Sequence, residues 1–144
     1  MVQKETIEFE HGRLEIFIDG SLMYLNIFGE YTGKDAISVT KYLENLFAET
    51  GDPPTRVWNT TNTPKDRFEL ITPNINILFE WSCRRRMKRP DDVVYIINDN
   101  PIKDGTSGMY EPGAFFNDFS MIVVKSIDEL PENIKERIHC FDSE

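Results

Sequence analysis

The side chains with most capacity for chemistry are scattered along the chain. Cys83 precedes Arg84 in a segment of helical periodicity, where a neighbouring guanidinium can lower a thiol pKa. Its position well past the start of that helix denies it the positive end of the dipole, and a part-buried structural thiol is the simpler reading. His11 falls in a turn and His139 beside the tail, and both read as ordinary surface residues. Asp91-Asp92 and Asp99 flank an apolar run from opposite ends, so they cannot meet as general acid and base. The chain contains no G-x-S-x-G, no glycine-rich phosphate loop and no H-E-x-x-H. A catalytic set is not expected, and neither a metal nor a cofactor is implied.

Three binding candidates remain. Arg84, Arg85, Arg86, Lys88 and Arg89 hold five of the 16 basic residues, leaving 11 against 25 acidic ones elsewhere. Cations at a helix C-terminus offset its dipole by roughly 0.3–1 kcal/mol each and can also pair with Asp91 and Asp92. The alternative reading is a site for an anion or an acidic partner. DNA and RNA fit poorly, because the net charge is −9 and no aromatics interleave the basic run.

The second candidate is the polar loop Asn59–Asp66, which follows a strand where open α/β sheets place their ligands. Asn59, Thr61, Asn62 and Thr63 could equally make a self-bonded turn. The third is Asn98–Phe119, where Met109, Tyr110, Phe115, Phe116 and Phe119 lie among three glycines. It reads either as a lid or partner face, or as a short helix, Pro112–Asp118, packed onto the sheet.

The elements that must position these residues follow from periodicity. Thr6–Phe9 alternates, His11-Gly12 reads as a turn, and Leu14, Ile16 and Ile18 alternate with Glu15, Phe17 and Asp19. Asp19-Gly20 is a strong two-residue hairpin signal, and Leu22–Phe28 returns as the third strand of a meander. Thr32 and Asp35 form a capping box for a helix whose apolar residues Ala36, Val39, Tyr42, Leu43, Leu46 and Phe47 follow at helical spacing. Lys34, Lys41 and Glu44 face water on that helix, and Gly51 with Pro53-Pro54 ends it.

Arg56–Asn59 is expected as a short strand, with a loop from Thr60 to Lys65. A second helix runs from about Thr72 to about Lys88, with Ile75, Leu78, Phe79 and Ser82 on one face and Trp81 beside them. Val93–Ile97 is a continuous apolar run, so it reads as a central strand covered on both faces. Met121–Val124 reads as another buried strand. Ser126 and Glu129 suggest a capping box for a helix carried by Leu130, Ile134 and Ile138, whose first turn Pro131 separates or distorts. The fold class is therefore α/β: one mixed sheet with an opening antiparallel hairpin, later parallel strands and packed helices.

The 144 residues make a single domain, spanning 1–144. The opening MVQKETIEFEHGR lacks an apolar core of signal-peptide length, and no window approaches a membrane span, so a cytoplasmic location is expected. In that compartment Cys83 and Cys140 are expected to remain thiols.

In element order, roughly residues 12 to 138 resemble the STAS fold of anti-sigma-factor antagonists, and most of all its small stand-alone members. The residues that carry the resemblance are LMYLNIFGEYT (Leu22–Thr32), VWN (Val57–Asn59), VVYIIND (Val93–Asp99) and MIVVKSIDEL (Met121–Leu130). Phosphorylated antagonists follow the central strand with an Asp-Ser-x-Gly-like turn whose serine takes a phosphate. The corresponding NTTNTPKDR (Asn59–Arg67) contains neither serine nor glycine. Thr60, Thr61 and Thr63 could accept a phosphate, though polar loop threonines are ordinary turn formers.

Two functions are consistent with these readings. One is a non-enzymatic regulatory module that docks a protein through Lys34, Lys41 and Glu44, through Asn59, Thr61 and Thr63, or through the basic run. The other is a carrier or sensor of an anionic or lipid-like ligand held between Arg84–Arg89 and the aromatic loop. The edge strand Thr6–Phe9 also offers pairing to a second copy of the chain.

Overall fold

The computed structural model describes residues 3–63, 77–78, 81, 93–97 and 121–142. The meander forms as the alternation predicts. Strand β1 (Gln3–Glu8) pairs antiparallel with β2 (Gly12–Asp19), and β2 with β3 (Leu22–Gly29). β1 starts at Gln3 rather than Thr6, because the ladder continues to Gln3 opposite Ile18 whatever the side-chain polarity. Asp19 pairs with Leu22, so the hairpin loop is Gly20-Ser21, one residue beyond the expected pair, with Gly20 at φ 58°.

Strands β4 (Thr55–Asn62), β5 (Val93–Ile97) and β6 (Met121–Val124) follow, each parallel to its predecessor. The six strands lie in sequence order. β5 is buried from Val94 to Ile97, as its apolar run indicates. β4 runs on through the polar Thr60-Thr61-Asn62, which sequence assigned to a loop. β6 is an edge strand among the described residues, and Ile122 is 43% exposed, so it is not the buried strand expected.

Helix α1 (Gly33–Thr50) has the caps its sequence encodes. The Asp35 N–H donates to the Thr32 hydroxyl at 3.1 Å, and the Thr32 N–H to the Asp35 carboxylate at 3.0 Å. At the other end the Gly51 N–H reaches the Phe47 carbonyl at 2.8 Å, with Gly51 at positive φ. Ala36, Val39, Leu43, Leu46 and Phe47 pack on Leu14, Ile16, Met23, Leu25, Ile27, Trp58 and Ile96. Each fully buried aliphatic side chain there contributes about 1.5–3 kcal/mol.

Ile77, Leu78 and Trp81 are helical and join the same face, where Trp81 stacks on Phe47 at 5.9 Å. The ends expected for that second helix lie outside the described residues. So do Cys83, the Arg84–Arg89 run, Asp91-Asp92, the Asn98–Phe119 loop and its Pro112–Asp118 helix.

The opposite face is closed by helix α2 (Glu132–Asp142), preceded by a separate 3-10 turn at Ile127–Glu129. Pro131 divides the two, as its missing N–H requires. The Ser126 box does not form: the Ser126 side chain caps nothing, and the Glu129 carboxylate accepts from the Lys125 N–H. Leu130, Ile134, Ile138 and Phe141 cover Phe17, Leu22, Tyr24, Val57, Tyr95 and Ile97. Phe141 stacks on Phe17 at 5.2 Å, and Arg137 reaches back to the Asp19 carbonyl and carboxylate.

Two further contacts tie α1 to the sheet. Arg56 is buried beneath its C-terminal end, 5.7 Å from the Phe47 ring, and its Nε donates to the Pro53 carbonyl at 3.1 Å. Its Nη2 lies 3.6 Å from Asp52, so a strand residue supplies the cation that the last turn of α1 lacks. At the N-terminal end the Tyr31 hydroxyl donates to the Arg13 carbonyl at 2.6 Å. Burial first, then the Asp35 charge, push the Tyr31 phenol well above its ordinary pKa against the pull of Arg13, so it remains a donor.

Gly29 sits at a close approach of the backbone. It has φ 76°, and a Cβ there would stand 2.4 Å from the His11 carbonyl oxygen and 2.9 Å from the Gly12 Cα. Gly29→Ala is expected to lose more than about 2 kcal/mol in urea denaturation, from left-handed strain and the clash together. Gly20→Asn, in open space at a left-handed position that Asn tolerates, should stay within about 0.5 kcal/mol of wild type.

Candidate functional site

The parallel strands β4, β5 and β6 end at one edge of the sheet, and polar residues gather there. β4 alone contributes four consecutive hydrogen-bonding side chains, Asn59 to Asn62. Asn59 and Val57 face the α2 side, and the Asn59 amide donates to the Tyr24 hydroxyl at 2.7 Å. Its carbonyl oxygen accepts both the N–H and the hydroxyl of Thr61, at 2.9 and 2.7 Å. Asn59 is thereby fixed in orientation at almost complete burial.

Thr60 is fully buried, its hydroxyl donating across to the Ile97 carbonyl at 2.8 Å. Thr63 turns back on Thr60, its hydroxyl donating to the Thr60 carbonyl at 2.7 Å. Between Asn26 and Phe28 of β3 the register slips, so that Asn59 to Asn62 occupies the span of a shorter segment. Such a bulge re-aims the side chains that follow it. Asn62 closes the slip by donating to Asn26 at 2.9 Å.

Above this strand end lies a cleft of about 470 Å³. Asn59, Thr61 and Ile97 line it from the sheet, Lys125 to Asp128 from the turn after β6, and His139 from α2. Lys125 and Asp128 bring opposite charges, and Ser126, Thr61 and His139 add further hydrogen-bonding capacity. The arrangement suits recognition of a small polar or anionic molecule: a fixed amide, hydroxyls and one lysine over an apolar floor of Ile97 and Ile127. No group of His, Cys, Asp and Glu with metal-binding geometry occurs among the described residues.

A second hollow of about 310 Å³ follows the β1–β2 turn from Glu8 to Arg13. Its cation is engaged already, with the Arg13 guanidinium 3.9 Å from the Phe28 ring and 3.8 Å from Glu15.

The residues expected from sequence divide between the two faces. Lys34, Lys41 and Glu44 are exposed on the outside of α1, and Ile37 lies between the two lysines at 48% exposure. Glu44 also accepts the Trp81 indole N–H at 2.9 Å, which ties it to the neighbouring helical segment. Asn59 and Thr61 enter the cleft on the α2 side, and Thr63 is buried at the strand end. The two sets therefore lie on opposite faces of the sheet. All three threonine hydroxyls are engaged; Thr60 and Thr63 are buried and Thr61 half-buried, the most accessible of the three.

Sequence reasoning missed Tyr24, Lys125, Ser126, Asp128 and His139 as neighbours of Asn59. The positional rule that singled out the loop after β4 applies equally to the turn after β6.

No helix is long and apolar enough to cross a membrane among the described residues. Compared with known proteins, the chain matches no family model and no curated relative.

The Tyr24–Asn59–Thr61 chain yields a direct test. Tyr24→Phe removes the acceptor of a buried amide N–H and is expected to lose about 1–3 kcal/mol in chemical denaturation. Thr61→Val should lose less, about 1 kcal/mol, because the Thr61 N–H still satisfies the Asn59 oxygen.

Proposed function

We propose that this chain is a STAS-like, non-enzymatic regulatory module that docks a protein partner through the outer face of α1. The observation that carries the reading is the stripe Lys34–Ile37–Lys41, which exposes one large apolar side chain between two cations. α1 is suited to presenting it: both ends are capped, and five buried residues anchor the opposite face. The strand–Gly29–Thr32–helix unit and the sequential mixed sheet support the STAS-like assignment. The matching partner surface is an apolar pocket rimmed by carboxylates, since lysines at an interface rim steer acidic partners.

A photo-crosslinker at position 37 is expected to capture one discrete protein from lysate, and one at the exposed Glu136 of α2 is not. Lys34→Glu with Lys41→Glu should weaken that complex by about tenfold or more while leaving the fold intact, since both side chains are exposed. Unchanged capture by the double variant would sink the docking face.

The cleft favours a second reading, a sensor or carrier of a small anionic ligand. It stands in for the site expected at Arg84–Arg89 and the aromatic loop, which lie outside the described residues. In a thermal-shift screen of carboxylates and phosphorylated metabolites, a true ligand at about a hundred times its Kd adds about 2.7 kcal/mol, several degrees in Tm. Lys125→Ala is expected to abolish the shift; retention of the shift would reject the cleft as the site.

A further inference from the structure

β1 is the outer strand of the meander. β2 lies on one side of it, and among the described residues no strand pairs with the other. The ladder determines which residues present backbone groups to that open side. The Phe9 N–H donates to the Gly12 carbonyl at 2.8 Å, which makes Phe9 and Gly12 a hydrogen-bonded pair. In an antiparallel ladder such pairs alternate with non-bonded ones. Ile7, Glu5 and Gln3 therefore bond to Leu14, Ile16 and Ile18, whereas Glu8, Thr6 and Lys4 direct their N–H and C=O groups outward.

We infer that β1 is a self-complementary docking edge, taken by β1 of a second copy of this chain in an antiparallel pair centred on Thr6. A twofold axis at Thr6 sets the two Thr6 residues opposite each other and places each Lys4 directly opposite a Glu8 of the other copy. All three outward residues are then used, and each opposed pair exchanges two backbone hydrogen bonds. Shifting the register by one residue sets outward groups against inward ones. Shifting it by two sets Thr6 opposite Lys4 or Glu8 and removes both ion pairs. Charge complementarity and backbone direction thus select the same alignment.

Among the described residues the edge is also geometrically open. β1 pairs with β2 in unbroken register from Gln3 to Glu8, without the bulge or proline that commonly protects an outer strand. The Lys4 ammonium lies 5.2 Å from the Phe17 ring centre, which holds its stem on the sheet surface beside the position of the opposing Glu8. Two strands of this length bury less than the roughly 1,200 Å² of a standard stable interface, so the dimer is weak and concentration-dependent.

Sedimentation equilibrium of the full chain tests this between about 10 μM and 1 mM, the range in which so small an interface assembles. Wild type is expected to show a monomer–dimer equilibrium with no larger species. Thr6→Pro removes an outward N–H and leaves the β1–β2 bonds in place, so it should keep the wild-type circular dichroism and Tm and stay monomeric throughout. Lys4→Glu and Glu8→Lys each set like charges opposite one another twice and should raise Kd about tenfold. Combining the two substitutions in one chain, or mixing the two single variants, should restore wild-type association. The inference is overturned if wild type is monomeric over the whole range, or if folded Thr6→Pro dimerises as tightly as wild type. Growth beyond the dimer overturns it too, since that reports head-to-tail pairing of β1 with β6. So does failure of the combined charge swap to restore association.

Discussion

The contact on which this molecule depends most is the close passage of Gly29 over Gly12. At that point β3 leaves the antiparallel meander, and the chain turns toward the helix that leads to the first parallel strand. Neither residue has room for a Cβ: at Gly12 it would meet the Phe28 and Glu30 carbonyls, and at Gly29 the His11 carbonyl. The approach lets Tyr31 fold back onto the Arg13 carbonyl and delivers Thr32 where it can cap α1. A chain held further apart there would displace the cap, the helix and the register of everything parallel to β3.

The meander and α1 were legible because their determinants are local. Alternation sets β2 and β3, and Thr32, Asp35 and Gly51 bracket the helix within a few residues of its ends. The extent of β4 was not legible. Thr60, Thr61 and Asn62 are polar and look like a loop, but their demands are met by the Ile97 carbonyl, Asn59 and Asn26, the first and last from other strands. β6 misled in the opposite sense. Four apolar residues imply burial, yet among the described residues Ile122 is at an edge and exposed, because burial depends on strand order, which composition does not encode. At the cleft, Asn59 and Thr61 could be named from their place after a parallel strand. Lys125, Ser126, Asp128 and His139 are brought beside them by the sheet and by α2, and no local pattern announces that.

The two faces of the sheet carry different kinds of surface. One supports a long helix whose inner residues anchor it to the sheet and whose outer face exposes Lys34, Ile37 and Lys41. The other is closed by a short helix that leaves a cleft at the strand ends. The end of β4 is threonine and asparagine, tied inward at Asn59, Thr60 and Thr63, so it serves as a rigid strand end.

Helix α2 has a consequence for how the molecule comes into being. Phe17, Leu22 and Tyr24 belong to the β2–β3 hairpin, and Ile134, Ile138 and Phe141 cover them from more than a hundred positions downstream. A nascent chain can form its meander and dock α1 early, since those contacts lie close together in sequence. Among the described residues it is α2 that closes the other face, and that helix is made last. Arg137, which grips Asp19 across 118 positions, belongs to this last closure. For the length of that delay an aromatic, strand-rich surface faces solvent or whatever chaperone attends synthesis, and the interval is set by translation speed.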